Sequence, residues 1–153
     1  MNKVIDYEKD LYSWALHHAQ LLREGRFAEL DIEHLAEELE DMGKSDRRAL
    51  ENRCIILIAH LLKWEYHPSH RGSSWKRSID EQRLRIDRLI RKNPSLKSYL
   101  AAAVADVYHD AVKLAAQETQ IPASQFPQEC LYSIEQMQAE NFYPDNSTFD
   151  QTE

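Results

Sequence analysis

Glycine is scarce in this 153-residue chain, with three residues beside five prolines and two cysteines. No Rossmann glycine pattern, GxSxG elbow, HExxH pair or EF-hand loop is present, which removes the commonest nucleotide, hydrolase and metal signatures. Cys54 and Cys130 form neither a CxxC pair nor a disulfide framework. That points to a reducing cytoplasm, with Cys54, inside an apolar run, as a small core residue. The longest apolar stretch, Cys54 to Leu62, is far too short to span a bilayer, so no membrane association is expected. The first fourteen residues lack the apolar core and cleavage site of a signal peptide. Nowhere does apolar residue alternate with polar as in a half-buried strand.

What is present is helical periodicity. The glycines and prolines fall almost entirely between periodic segments. A first helix is expected from about Tyr7 to Glu24, capped by Asp6 and ended by Gly25, with Tyr7, Leu11, Trp14, Ala15, Ala19 and Leu22 as its apolar face. A second is expected from Ile32 to Met42, capped by Asp31 and stopped by Gly43, with Ile32, Leu35, Ala36, Leu39 and Met42 facing the core. Ser45 then caps a third, Asp46 to Tyr66, apolar nearly all round and therefore central. Pro68 stops it. A fourth runs from Trp75 to Lys92 and a fifth from Leu96 to Glu118, with Asn93-Pro94 between them. Ser133 and Gln136 form a capping box for a short last helix. The expected fold is all-α, an up-and-down helical bundle of about five helices with a short C-terminal helix. A single domain is expected over residues 1–144, followed by a polar tail over 145–153.

The net charge of −7 argues against a general nucleic-acid binder, but charge is segregated. Residues 29–51 hold nine acids and three bases, and residues 71–92 hold eight bases and three acids. Arg77, Arg85 and Arg88 point outward and are expected to pair with the acidic second helix, within the chain or across a dimer. With no aromatic platform beside them, pairing is favoured over nucleic acid.

Two motif fragments fail. Gly43-Lys44-Ser45 resembles the end of a P-loop, but the required glycine is Glu38 and no strand precedes it. Glu37, Glu38 and Asp41 match the first half of the EExxE…ExxD pattern of all-α nucleoside-triphosphate pyrophosphohydrolases, where carboxylates one turn apart hold magnesium. The second half is missing: Cys54 and Leu84 occupy the fourth positions after Glu51 and Glu81.

Among the histidines, His17, His34 and His109 project on polar faces. His18 falls near the middle of the first helix's apolar face and is expected to be buried, with His17 exposed. On the third helix Arg53, His60 and His67 recur every seven residues, with Asn52, Lys63 and Trp64 beside them. This polar stripe is either a buried hydrogen-bonded network, with Lys63 reaching to water, or a ligand site. Trp64 and Trp75 flank the turn after Tyr66 and are expected to close one end of the core beside His60 and His67.

The run from Tyr7 to Arg53, then His60 to Pro68, Ser73 to Arg83, Asn93 to Leu96 and Phe126 to Cys130 resembles a bacterial family common in cyanobacteria. It is catalogued as domain of unknown function 29, and the resemblance covers nearly the whole chain. It implies an all-helical fold and carries no activity, substrate or partner with it. Its recurring features fall on Leu22 to Arg26, Glu37-Glu38, His60 to Trp64, Trp75, Gln82-Arg83 and Phe126-Pro127. The expectation is a small cytoplasmic interaction or regulatory protein that binds a protein partner or its own copy through charged helix faces. The alternative is a metal-dependent hydrolase or ligand binder, with a divalent metal held by Glu37, Glu38, His60 and His67. Trp64, Trp75, Arg83 and His18 are structural or ligand candidates.

Overall fold

The computed structural model describes residues 4–145; the expected polar tail lies outside them, apart from its first residue, Asp145. Five α-helices follow in order: α1 (Leu11–Arg23), α2 (Ile32–Tyr66), α3 (Ser73–Lys92), α4 (Leu96–Thr119) and α5 (Ile134–Gln138). Short 3₁₀ turns lie at Phe27–Glu29, Pro68–His70 and Ala123–Gln125. There is no strand among the described residues, and the chain is all-α. No helix among them is long and apolar enough to cross a membrane.

Two boundaries differ from expectation. α1 begins four residues late because Asp10, not Asp6, is its N-cap: the Asp10 carboxylate accepts from Ser13 N at 3.0 Å. Asp6 caps only the preceding turn, accepting from Glu8 N at 2.9 Å. The second and third expected helices are a single 35-residue helix that runs through Gly43 and Ser45. A mid-helix glycine costs only about 1 kcal/mol relative to alanine, less than an additional pair of helix ends with four unsatisfied groups each would cost. Gly25 does end α1, at φ +70°, a left-handed conformation that glycine adopts without strain. The capping box of Ser133 and Gln136 opens α5 as expected.

The described chain divides into two compact units, residues 1–45 and 46–153, with the boundary inside α2. In the N-terminal unit α1 and the start of α2 run antiparallel. Tyr7 meets His34 and Glu38, while His18 meets Asp31. Trp14, His18 and Leu21 are buried. In the C-terminal unit the apolar run of α2 contributes Leu50, Cys54, Leu57, Ile58, Leu61 and Leu62 to a core closed by Ile79 and Ile86 of α3 and by Leu100, Val104, Val107 and Ala111 of α4. Phe126 and Met137 fill it from the C-terminal segment. α3 packs on both α4 and α5. Burial pushes the Cys54 thiol up to about 12, as befits an inert core residue.

Candidate functional site

In the N-terminal unit an aromatic and imidazole cluster joins α1 to α2. The Tyr7 ring stacks on His34 at 3.9 Å and meets Trp14 edge-on at 4.9 Å, and Trp14 stacks on His18 at 4.2 Å. His18 is buried and His17 exposed, as the periodicity predicts. One ring nitrogen of His18, Nδ1, lies 3.1 Å from the Trp14 carbonyl, and the other, Nε2, accepts from Asp31 N at 3.0 Å. Both nitrogens are thus satisfied inside the protein, and His18 is a pin between the two helices. His34, assigned no role by its polar face, belongs to the same cluster. It is half-buried and hydrogen-bonds the Asp31 carboxylate at 2.5 Å, with Glu8 at 3.9 Å.

In the C-terminal unit the polar stripe of α2 resolves into separate contacts. His60 Nδ1 donates to the Ile56 carbonyl at 2.9 Å. Lys63 does not reach to water: its side chain is 5% exposed and its ammonium pairs with Glu118 of α4. The same ammonium lies 4.7 Å from the centre of the Trp75 ring. No spacing rule could pair Lys63 with a residue 55 positions away. Trp64 and Trp75 are both partly buried near the α2–α3 turn. Trp75 is close to His67 and His70, at 6.1 and 6.4 Å, whereas Trp64 packs on Tyr143 at 5.1 Å. Arg71 donates from Nε to the Trp64 carbonyl at 2.6 Å. His67 Nδ1 is buried and has no hydrogen-bond partner.

Arg83 is buried and serves as a clamp. Its Nε donates to the Met137 carbonyl at 2.7 Å, and its Nη2 donates to Phe142 and Gln136 carbonyls at 2.6 and 3.2 Å. Beside it a cavity of about 530 Å³ is lined by Lys76, Asp80, Glu140 and Tyr143 among others. The Tyr143 hydroxyl donates to Asp80. Both signs of charge line this space, so it selects no single ligand charge.

The four metal candidates are divided between the units. Glu37 is exposed and Glu38 accepts from the Tyr7 hydroxyl, while His60 and His67 belong to the C-terminal unit. Among the described residues no group of three or more His, Cys, Asp or Glu side chains is placed to hold a metal ion. Of the arginines of α3, Arg85 pairs along its own helix with Glu81 at 2.8 Å, and not with the acidic second helix as expected, and Arg91 pairs likewise with Asp87 at 2.9 Å. Lys92 reaches the acidic stretch at Asp46, 3.7 Å away.

Two imidazoles should titrate in opposite directions. The Asp31 hydrogen bond raises the His34 pKa against the opposing effect of burial, with negative charge from Asp31, Glu37 and Glu8 adding to it. Stabilisation by this pair is therefore complete below the unfolded histidine value of about 6.5 and is lost as pH rises through the raised folded value. On the acid side it lasts until pH falls through the Asp31 pKa, which the same hydrogen bond lowers. Burial lowers the pKa of His60, so its contribution is present at neutral pH and is lost as pH falls below the unfolded value. NMR titration should place the His34 midpoint above that of free histidine and the His60 midpoint below it, and Asp31→Asn should bring His34 down. Coincident midpoints would contradict both environments.

A family model described as domain of unknown function DUF29 matches residues 7–143. No curated protein and no solved structure matches the chain.

Proposed function

The chain belongs to the DUF29 family, and on that premise we propose that it is a helical interaction module that docks another polypeptide on its N-terminal unit. What supports this reading is the distribution of exposed apolar side chains. Of eleven large ones among the described residues, nine lie in residues 4–42 and only Leu84 and Leu131 lie elsewhere. Leu11, Tyr12, Leu16 and Leu22 are exposed along α1, and Phe27 in the following turn. Ile32, Leu39 and Met42, expected to face the core, are each about two-thirds exposed at 63%, 65% and 65%.

Five of these side chains, Leu11 and Leu22 on α1 and Ile32, Leu39 and Met42 on α2, share one side of the hairpin. Viewed from the N-terminus of α1 at 100° per residue, Leu11 and Leu22 lie clockwise of the buried Trp14–His18 edge, while Tyr12 and Leu16 lie on the side of the helix away from that edge. Viewed from the N-terminus of α2, Ile32, Leu39 and Met42 lie clockwise of the His34–Glu38 edge. The helices are antiparallel, so two clockwise arcs seen from opposite ends face the same way. The N-terminal unit holds the main concentration of exposed large apolar side chains among the described residues, as expected of an interaction surface.

The test is an NMR titration of the labelled protein with an amphipathic helical peptide of leucine and glutamine, which has an apolar face and no charge. Shifts are expected on α1 and on residues 32–42. Leu39→Gln with Met42→Gln should weaken binding while changing stability by less than about 0.5 kcal/mol, as for other surface substitutions. Perturbations confined to the C-terminal unit would sink the proposal.

A further inference from the structure

We infer that the polypeptide taken up by this face is a basic amphipathic helix; this rests on the docking reading above and specifies its partner. Residues 1–45 carry eleven acids and five bases, a net charge of −6 out of −7 for the whole chain. Nearly all the protein's net charge thus surrounds its one concentration of exposed apolar residues. Few of the acids are neutralised locally. Arg26 engages Glu24 and Glu29, and His34 engages Asp31, but Glu33, Glu37, Glu40 and Asp41 have no ion pair among the described residues. Glu33, Glu37 and Glu40 are exposed on the same helix. At 100° per residue Glu40 and Glu33 lie about 80° and 100° past Ile32, beyond the outer edge of the Ile32–Leu39–Met42 arc, and Glu37 lies on the far side of the helix from it.

An exposed apolar face on a strongly acidic unit is complementary to a helix with leucine-like residues at i, i+3, i+4 and i+7 and with lysine or arginine along its borders. Apolar burial supplies the affinity, and the charges supply encounter rate and selection against acidic partners. A second copy of this chain is the poorer occupant, because it would bring an equally acidic unit against this one. Anionic membrane is disfavoured for the same reason. The basic α3 of another copy offers cations but not an apolar face, since its Ile79 and Ile86 are buried in its own core.

The experiment uses the full chain and three synthetic helices of about 18 residues, five turns, sharing one leucine face and carrying lysine, glutamine or glutamate on the other. Calorimetric affinities at low and at physiological salt are expected to rank lysine above glutamine by at least tenfold, with glutamate weakest. Salt should narrow the gap without abolishing lysine-peptide binding. Glu33→Gln with Glu40→Gln should reduce the lysine-peptide preference while leaving glutamine-peptide affinity intact. Leu39→Gln with Met42→Gln should weaken all three peptides, and Leu84→Gln in the C-terminal unit none. Equal binding of the three peptides would leave the docking face standing and overturn the charge inference. Lysine-peptide binding unaffected by Leu39→Gln with Met42→Gln would reduce it to nonspecific attraction and overturn it too. Failure of every peptide to bind would overturn the docking reading itself, and so would a stable dimer that these substitutions dissociate, because the occupant would then be a second copy.

Discussion

Replacing Arg83 by methionine is expected to cost on the order of 4 kcal/mol, because three charge-assisted hydrogen bonds end together and the buried Met137 carbonyl loses its donor. Methionine keeps the stem's packing and removes only the guanidinium, so the loss reports the clamp on Gln136, Met137 and Phe142. The Arg83 side chain is buried, and that burial lowers the guanidinium's pKa. Arg83→Lys should recover little, since an ammonium on a flexible stem cannot address three carbonyls in fixed directions. Urea denaturation measures the total, and hydrogen exchange at residues 137–143 locates it. A loss below about 1 kcal/mol would mean that Met137, buried in the core, holds the segment without help.

The second large effect is an asymmetry between the partners of one ion pair. Glu118→Ala is expected to cost about 2–3 kcal/mol, toward the low end for breaking a buried pair because the Glu118 side chain is 43% exposed and part of its attraction is screened. The Lys63 ammonium would remain enclosed, with the Trp75 face beside it and no carboxylate partner from Glu118. Lys63→Met removes the charge that needs compensating, and Glu118 can then turn to water. That variant is expected to be neutral or up to about 2 kcal/mol more stable. The double variant should resemble Lys63→Met alone, and thermal or urea unfolding of the three proteins closes the cycle. Equal losses for both single variants would show that the pair stabilises the fold outright.

Lys63 also shows how far the candidate site was legible. The seven-residue recurrence of Arg53, His60 and His67 identified a polar stripe, but not whether water or Glu118 received the lysine. His18 was legible because a histidine on an apolar helical face has few places to go. His34 was not, since its helical face is polar and, beside the nearby Asp31, its partners Tyr7 and Glu8 lie across a hairpin. Arg83 entered through a family resemblance and not through its own surroundings, because its acceptors are backbone carbonyls, which every residue has.

By itself the sequence determined the helical class, the breaks at Gly25, Pro68 and Asn93-Pro94, the capping box at Ser133 and the central apolar run of α2. Each of these depends on backbone preferences or periodicity within a few residues. Only the tertiary structure decided that α2 continues through Gly43, that Lys63 is enclosed, and that Ile32, Leu39 and Met42 stay in the open. An apolar stripe states what a helix can bury; whether anything covers it depends on where residues distant in the chain are brought.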